Sequence, residues 1–191
     1  MIKKRILMSK DGFSLLELFI AISLFIVMMG ALFLVISPSI DSFQLSTAQL
    51  DLESEVRRAL DTMTSELRET RISKIVEGPV DADNINYNVI RFAIPFDIDN
   101  DADILDNNLA IEWSDQNPAN WTVRYSRVGT QIIRTAGDDL NPVLANNITS
   151  LTFRRPSYNP NTIEIGISAQ KSTSKNRSVK VSLSSLIKMR N

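Results

Sequence analysis

Residues 10–36 read KDGFSLLELFIAISLFIVMMGALFLVI, and this stretch decides how the rest of the chain is interpreted. From Phe13 to Ile36 it is almost entirely apolar over about 24 residues, which is roughly 36 Å as an α-helix. A helix of that length covers the hydrocarbon core of a bilayer, which is about 30 Å thick. Glu17 lies near its start, and the apolar stretch contains no basic residue to pair with this carboxylate. The sequence therefore predicts a membrane-spanning helix that carries one unexplained charge.

The charged residues on the two sides of the apolar stretch differ in sign. The basic residues before it are Lys3, Lys4, Arg5 and Lys10, whereas the first charged residues after it are Asp41, Asp51, Glu53 and Glu55. Basic residues flanking a membrane segment stay on the cytoplasmic side. We therefore expect a single-pass inner-membrane protein with a cytoplasmic N-terminus and a periplasmic C-terminal domain.

The composition limits the chemistry that the chain can perform. Its 191 residues carry a formal net charge of -1 and include no histidine and no cysteine. The commonest general base, the commonest zinc ligands and the thiolate nucleophile are therefore missing. A near-neutral balance also provides no broad basic field for nucleic acid. We expect the protein not to be an enzyme and not to bind nucleic acid through a basic surface.

Three interpretations of the apolar stretch can be compared. A cleaved secretory signal has a shorter apolar region of about 7–15 residues. A plain membrane anchor leaves Glu17 without a role, although an acid at the centre of a membrane helix costs up to about 3 kcal/mol. The third interpretation comes from the residues that precede the glutamate.

The hexapeptide GFSLLE, residues 12–17, resembles the prepilin processing motif of type IV pilins and type II secretion pseudopilins. That motif consists of a short basic leader ending in glycine, a phenylalanine, small and apolar residues, and a glutamate four residues after the phenylalanine. The resemblance implies that residues 1–12 are a leader peptide and that a prepilin peptidase cuts between Gly12 and Phe13. It also implies N-methylation of Phe13, a filament-core helix over residues 13–36, and an assembly role for Glu17.

Electrostatics gives the glutamate a partner under this interpretation. Cleavage before Phe13 exposes an α-amine, and Glu17 follows it by four residues. The carboxylate can meet its own amine across one helical turn, or the amine of an adjacent subunit. Such a pairing is much stronger in a low-dielectric bundle than in water. We therefore expect Glu17 to direct the docking of each subunit against its neighbour.

The length, the layout and the absence of cysteine are similar to those of minor subunits, particularly the J-type minor pseudopilin and the W-type minor pilin. The function implied is structural, namely priming or capping the assembly of a type II secretion pseudopilus or a type IV pilus. The partners implied are other pilin or pseudopilin subunits, the prepilin peptidase, the inner-membrane assembly platform and inner-membrane lipid. The competing interpretation is a filament-tip binding module that contacts a surface, DNA or a secreted substrate.

Beyond the apolar stretch the sequence predicts an α+β fold of the pilin-like kind, with a long N-terminal helix packed on an antiparallel sheet. Residues 37–77 are expected to continue the helix to about Val76, since an apolar stripe recurs at helical spacing; its members are Leu52, Val56, Leu60, Met63 and Leu67. Residues 78–191 are expected to form a strand-rich periplasmic domain, because short alternating segments are separated by turn residues. The predicted strands lie within residues 88–96, 121–128, 128–135, 150–155, 162–169 and 178–187.

One acidic loop in this domain is a candidate metal site. The stretch DIDNDADILD places Asp97, Asp99, Asp101 and Asp103 at alternate positions. Alternating carboxylates can wrap a calcium ion, as in the first half of an EF-hand loop. The match is partial, because Ala102 replaces the glycine of that loop and Asn108 its final glutamate. A solvated acidic loop without a cation is the alternative.

Three large aromatic residues, Trp113, Trp121 and Tyr158, also stand out in the domain. They are compatible with a surface recognition patch. Aromatic residues that alternate within strands are more often part of a core.

Overall fold

The computed structural model describes residues 14–106, 108–116, 122–137, 141–173 and 177–190. The predicted leader and the predicted cleavage site between Gly12 and Phe13 lie outside these residues. The described elements are α1 Leu15–Glu69, β1 Ile75–Glu77, β2 Val89–Phe92, β3 Val123–Val128, β4 Gln131–Thr135, β5 Val143–Ala145, β6 Ile148–Arg154, β7 Thr162–Ser172 and β8 Ser178–Lys188, with short 3-10 helices at Ile72–Lys74 and Ser114–Gln116.

The strands form two antiparallel sheets, so the chain has the α+β layout expected. One sheet has the order β1-β2-β3-β4-β5 and the other has the order β6-β7-β8. Strands β7 and β8 form the longest pair, from Thr162 opposite Lys188 to Ser172 opposite Ser178. Consecutive strands are neighbours throughout each sheet, and the connection between β2 and β3, residues 93–122, is the longest between two neighbouring strands.

The chain divides into two compact units, with the division between Gln44 and Leu45. In the N-terminal unit, helix α1 leaves its large apolar side chains exposed from Leu15 to Val35. The most apolar 18-residue window of α1 has a mean hydropathy of 2.9, and none of it is buried. By length and composition, this part of α1 is a candidate membrane-spanning helix.

Helix α1 continues without a break through Pro38. Proline has no backbone N–H, so one carbonyl in the preceding turn loses its usual donor. The hydroxyl of the next residue, Ser39, donates to the carbonyl oxygen of Val35 at 2.9 Å.

The C-terminal unit is built around the second half of α1. Seven of its residues are buried, namely Leu52, Val56, Ala59, Leu60, Met63, Thr64 and Leu67. They share one core with inward-facing side chains of both sheets, including Phe92, Tyr125, Phe153 and Ile165. The predicted apolar stripe is therefore confirmed.

The end of α1 differs from the prediction, because the helix stops at Glu69 rather than near Val76. The Thr70 hydroxyl donates to the carbonyl oxygen of Ala93 at 2.5 Å, and the chain then turns through a 3-10 helix into β1. Ile75 pairs with Phe92 in the sheet and is buried there. The apolar helical stripe ends at Leu67, and beyond it the branched residues Ile75 and Val76 gain more from strand pairing than from another helical turn.

The six predicted strands are confirmed as β2, β3, β4, β6, β7 and β8. Gly129 forms the turn between β3 and β4 with a φ of 60°, a conformation that favours glycine. Strands β1 and β5 were not predicted, since each has only three residues and therefore too little alternation to detect.

Candidate functional site

The first candidate site is the start of α1, where Ser14 caps the helix. The backbone N–H of Glu17 donates to the Ser14 hydroxyl at 3.2 Å, and the N–H of Leu18 donates to the Ser14 carbonyl at 3.1 Å. Serine at the N-cap with glutamate three residues later is the pattern of a capping box. The sequence interpretation missed this local role, although the spacing in GFSLLE indicates it.

Glu17 also lies in the first turn of α1, where a negative charge interacts favourably with the helix dipole. Its side chain is exposed among exposed apolar neighbours, including Leu16 and Leu18. Among the residues that the structure describes, no ion pair includes Glu17. The cap uses the backbone N–H of Glu17 rather than its carboxylate, and that carboxylate has no cation beside it within the described part of the chain.

The second candidate site is the acidic loop after β2. The structure brings Asp97 and Asp99 together with Glu112, such that one carboxylate oxygen of each lies within 4.8 Å of the others. Glu112 is only 8% exposed, and its Oε2 accepts a hydrogen bond from the N–H of Ile98 at 2.7 Å. Glu112 follows the last predicted aspartate, Asp103, by nine residues and does not belong to the alternating series, so the periodicity of the loop does not predict it.

Asp101 and Asp103 are not part of this three-carboxylate group. Asp101 Oδ1 accepts from the N–H of Asp103 at 2.9 Å, and Asp103 Oδ1 accepts from the N–H of Ile104 at 2.7 Å. Short acidic side chains commonly bind the backbone of their own turn in this way. The four aspartates expected to act together therefore separate into two that adjoin Glu112 and two that stabilise the turn.

The chemistry of Asp97, Asp99 and Glu112 suits a hard cation, because calcium prefers carboxylate oxygens. Oδ1 of Asp97 is buried and has no hydrogen-bond donor among the described residues. Three carboxylates this close also repel one another unless a cation or water lies between them. These residues are the ones that fit a calcium ion in this loop, and further ligands would come from water or backbone carbonyls.

Asp106 ends the acidic stretch and has a structural role. Its Oδ1 accepts from the N–H groups of Asn108 at 2.8 Å and of Ala110 at 2.9 Å. The hydrogen bonds from Ala110 and then Asn108 hold the pKa of the Asp106 carboxyl below its usual value. The ionised form of Asp106 thereby closes the turn beyond the three-carboxylate group.

The aromatic residues do not gather into a surface patch among the described residues. Trp113 is 4% exposed and belongs to the interior, whereas Tyr158 is 75% exposed on a loop. Trp121 lies outside the described residues. Trp113 packs beneath two cations, with the guanidinium carbon of Arg71 5.6 Å and Nζ of Lys74 5.4 Å from the centre of its ring.

Comparisons of the chain with family models, with curated proteins and with solved structures gave no match.

Proposed function

We propose that the protein is a minor pilin or pseudopilin, a structural subunit that primes or caps the assembly of a type II secretion pseudopilus or a type IV pilus. In this proposal a prepilin peptidase removes residues 1–12 and Phe13 becomes the methylated N-terminus. The mature subunit resides in the inner membrane with its C-terminal unit in the periplasm. It then leaves the membrane for the filament with the help of the assembly platform.

The exposed first half of α1 supports this proposal. Its side chains form an apolar surface, and the same residues suit two surroundings in turn. Lipid covers an apolar helix as a single span, and neighbouring apolar helices cover it equally well in a filament. The amphipathic second half of α1 is instead buried in its own domain at Leu52, Val56 and Met63.

The single observation that carries the proposal is the charge of Glu17, which lies beside exposed apolar residues and has no ion-pair partner within the part of the chain that the structure describes. Lipid can cover the apolar residues but provides no fixed cation in the hydrocarbon region. In each mature subunit the α-amine of Phe13 would lie about one helical turn from Glu17. The α-amine of a neighbouring subunit would therefore be a cation within about one turn of the depth of Glu17. Subunits aligned in this register bury the charge with a partner, and subunits out of register bury it without one.

The test replaces Glu17 by glutamine in the native cell. Glutamine keeps the polar capping pattern and removes the charge. We expect cleavage before Phe13 to continue and the amount of subunit in sheared filaments to fall at least about tenfold, which corresponds to about 1.4 kcal/mol of lost docking energy. N-terminal sequencing measures cleavage, and immunoblotting of the filament fraction measures incorporation.

Ser14→Ala is the matched control, since it removes the cap hydroxyl and leaves the charge. We expect this variant to enter filaments at nearly the wild-type level. Normal incorporation of Glu17→Gln would overturn the pairing role of Glu17. An intact Met1, or a start well beyond Phe13, in protein from the native cell would overturn the proposed function itself.

A further inference from the structure

A cleft of about 370 Å³ lies in the C-terminal unit, where the chain leaves α1 and where β8 ends; its lining residues are Arg71, Ile72, Ser73, Asn161 and Arg190. A parallel β-bridge pairs Arg71 with Arg190. The N–H of Arg190 donates to the Thr70 carbonyl at 3.3 Å, which reinforces this bridge. Two segments that are distant in sequence therefore present an arginine each to one cleft.

The charges of the two arginines have no carboxylate partner in the part of the chain that the structure describes. Among the described residues, no ion pair includes either Arg71 or Arg190. Neighbouring backbones in a β-bridge lie about 5 Å apart, so the two positive side chains begin close together. Like charges at such separations raise the local potential. The cleft therefore has an excess of positive charge in a protein whose net charge is slightly negative.

Arg71 is held in place by Trp113. Its guanidinium lies over the buried indole ring. The attraction between the positive charge and the face of the ring restricts the position of the side chain. Nε of Arg71 is buried and has no hydrogen-bond acceptor among the described residues. A guanidinium that has lost part of its water binds an anion more strongly than a fully hydrated one.

Lys74 shares the same indole ring but differs in its pairing. Its Nζ lies 3.1 Å from both carboxylate oxygens of Asp115. Asp115 thereby balances the charge of Lys74, whereas Arg71 and Arg190 have no such ion pair among the described residues. The contrast identifies the two arginines as the groups that an external anion would meet.

We propose that this cleft binds a carboxylate group, specifically an acidic side chain presented by a partner protein. The planar guanidinium matches a carboxylate with two parallel N–H groups. The Ser73 hydroxyl and the Asn161 amide add donors at the same surface. Ile72 supplies an apolar wall for the methylene groups of a glutamate side chain. The residues that form this site do not include Glu17, and the observations that support it do not depend on the proposed filament.

The test uses the full-length protein in zwitterionic detergent micelles at low ionic strength. A Trp121→Phe background leaves Trp113, beneath Arg71, as the one tryptophan, since the chain has two. The probe is an N-acetylated and C-amidated tetraglutamate peptide, and the neutral probe of equal length is tetraglutamine. We expect a saturable change in tryptophan emission with tetraglutamate and none with tetraglutamine.

Arg190→Gln is the informative variant, because Arg190 is exposed and its loss spares the packing on Trp113. We expect it to raise the dissociation constant of tetraglutamate at least tenfold, and we expect Arg190→Lys to have a smaller effect. Arg127→Gln is the matched control, since Arg127 is an exposed arginine on the β3–β4 hairpin that donates to the carbonyl oxygen of Gly129. It removes the same charge away from the cleft and should leave binding unchanged.

Three results would overturn the proposal. The first is the absence of saturable binding by tetraglutamate. The second is an equal weakening by Arg127→Gln, which would mean general charge attraction. The third is binding of glutarate or inorganic phosphate at least as tightly as tetraglutamate, which would assign the cleft to a free anion. A failure of Glu17→Gln to alter filament incorporation would leave this result unaffected.

Discussion

The phenolic oxygen of Tyr125 lies 2.5 Å from Oε2 of Glu66, so that a strand residue donates a hydrogen bond to the helix that packs over it. Arg134 on the adjacent strand completes the cluster, with its Nε 2.9 Å from Oε1 of the same carboxylate. Burial, together with the hydrogen bond and charge of Glu66, holds the pKa of the Tyr125 phenol above its usual range. This cluster fixes the position of α1 on the five-stranded sheet.

The raised pKa of Tyr125 predicts a loss of stability in alkaline solution. The unfolded phenol releases its proton near pH 10, whereas the folded phenol retains it, so the free energy of unfolding falls as the pH rises above about 10. We expect Tyr125→Phe to lower the free energy of unfolding by about 1–2 kcal/mol at pH 7 and to flatten the alkaline decline. Urea unfolding between pH 7 and pH 11 measures both effects. Tyr158→Phe, at an exposed position, should keep the wild-type decline; an unchanged slope in Tyr125→Phe would contradict the prediction.

The core beneath α1 predicts a large cost for removing Met63. This side chain is fully buried against both sheets, so truncation leaves a cavity. We expect Met63→Ala to reduce the free energy of unfolding by about 2–5 kcal/mol. Leu50→Ala is the control, because Leu50 lies on the same helix but is 67% exposed. Thermal unfolding of both variants as isolated subunits should separate them, and equal melting temperatures would argue against this packing of α1.

Two glycines with positive φ predict different costs for the same substitution. Gly78 has a φ of 107°, and a Cβ there would lie 2.6 Å from the carbonyl oxygen of Val89. Gly129 has a φ of 60°, and a Cβ there would meet nothing within 4 Å. We expect Gly129→Ala to cost about 1 kcal/mol for the left-handed backbone alone. Gly78→Ala adds the clash with β2 and should cost at least about 1 kcal/mol more. Denaturant midpoints for the two variants test this order, and the reverse order would contradict it.

The three-carboxylate group predicts the effect of calcium. Calcium that bridges Asp97, Asp99 and Glu112 would remove their mutual repulsion, and a concentration ten times the dissociation constant stabilises the fold by about 1.4 kcal/mol. We expect millimolar calcium to raise the melting temperature of the wild type by several degrees and that of Glu112→Gln by much less. Asp101→Asn should respond like the wild type, because Asp101 belongs to the turn rather than to the group. A wild-type melting temperature that is insensitive to calcium would end the metal hypothesis.

Features that depend on residues close in sequence were predicted correctly, whereas the feature that depends on a contact between distant segments was not. The stripe from Leu52 to Leu67 and the alternation of Ile163, Ile165 and Ile167 are local periodic signals, and both correspond to buried faces. The end of α1 depends instead on the pairing of Ile75 with Phe92, which is a contact between distant segments. Local patterns contain no information about such a partner.

The candidate sites differ in the same way, according to how far apart in sequence their residues lie. The spacing in GFSLLE is local, and the assembly role that we propose for Glu17 rests on it. Glu112 joins Asp97 only because the segment around Trp113 folds back beside β2, where Ile94 and Ser114 are hydrogen-bonded. The two arginines of the cleft are still further apart in sequence, since Arg71 precedes β1 and Arg190 follows β8. Sites assembled from distant segments require the tertiary structure.

The position of the cap at Ser14 has a consequence for maturation. The hydroxyl that starts α1 belongs to a residue that follows the expected scissile bond, so proteolysis there leaves the helix initiation signal on the retained side. The proposed cleavage would therefore change the charge at the tip of the helix without changing where its first turn begins. A newly matured subunit would need no refolding before it is recruited.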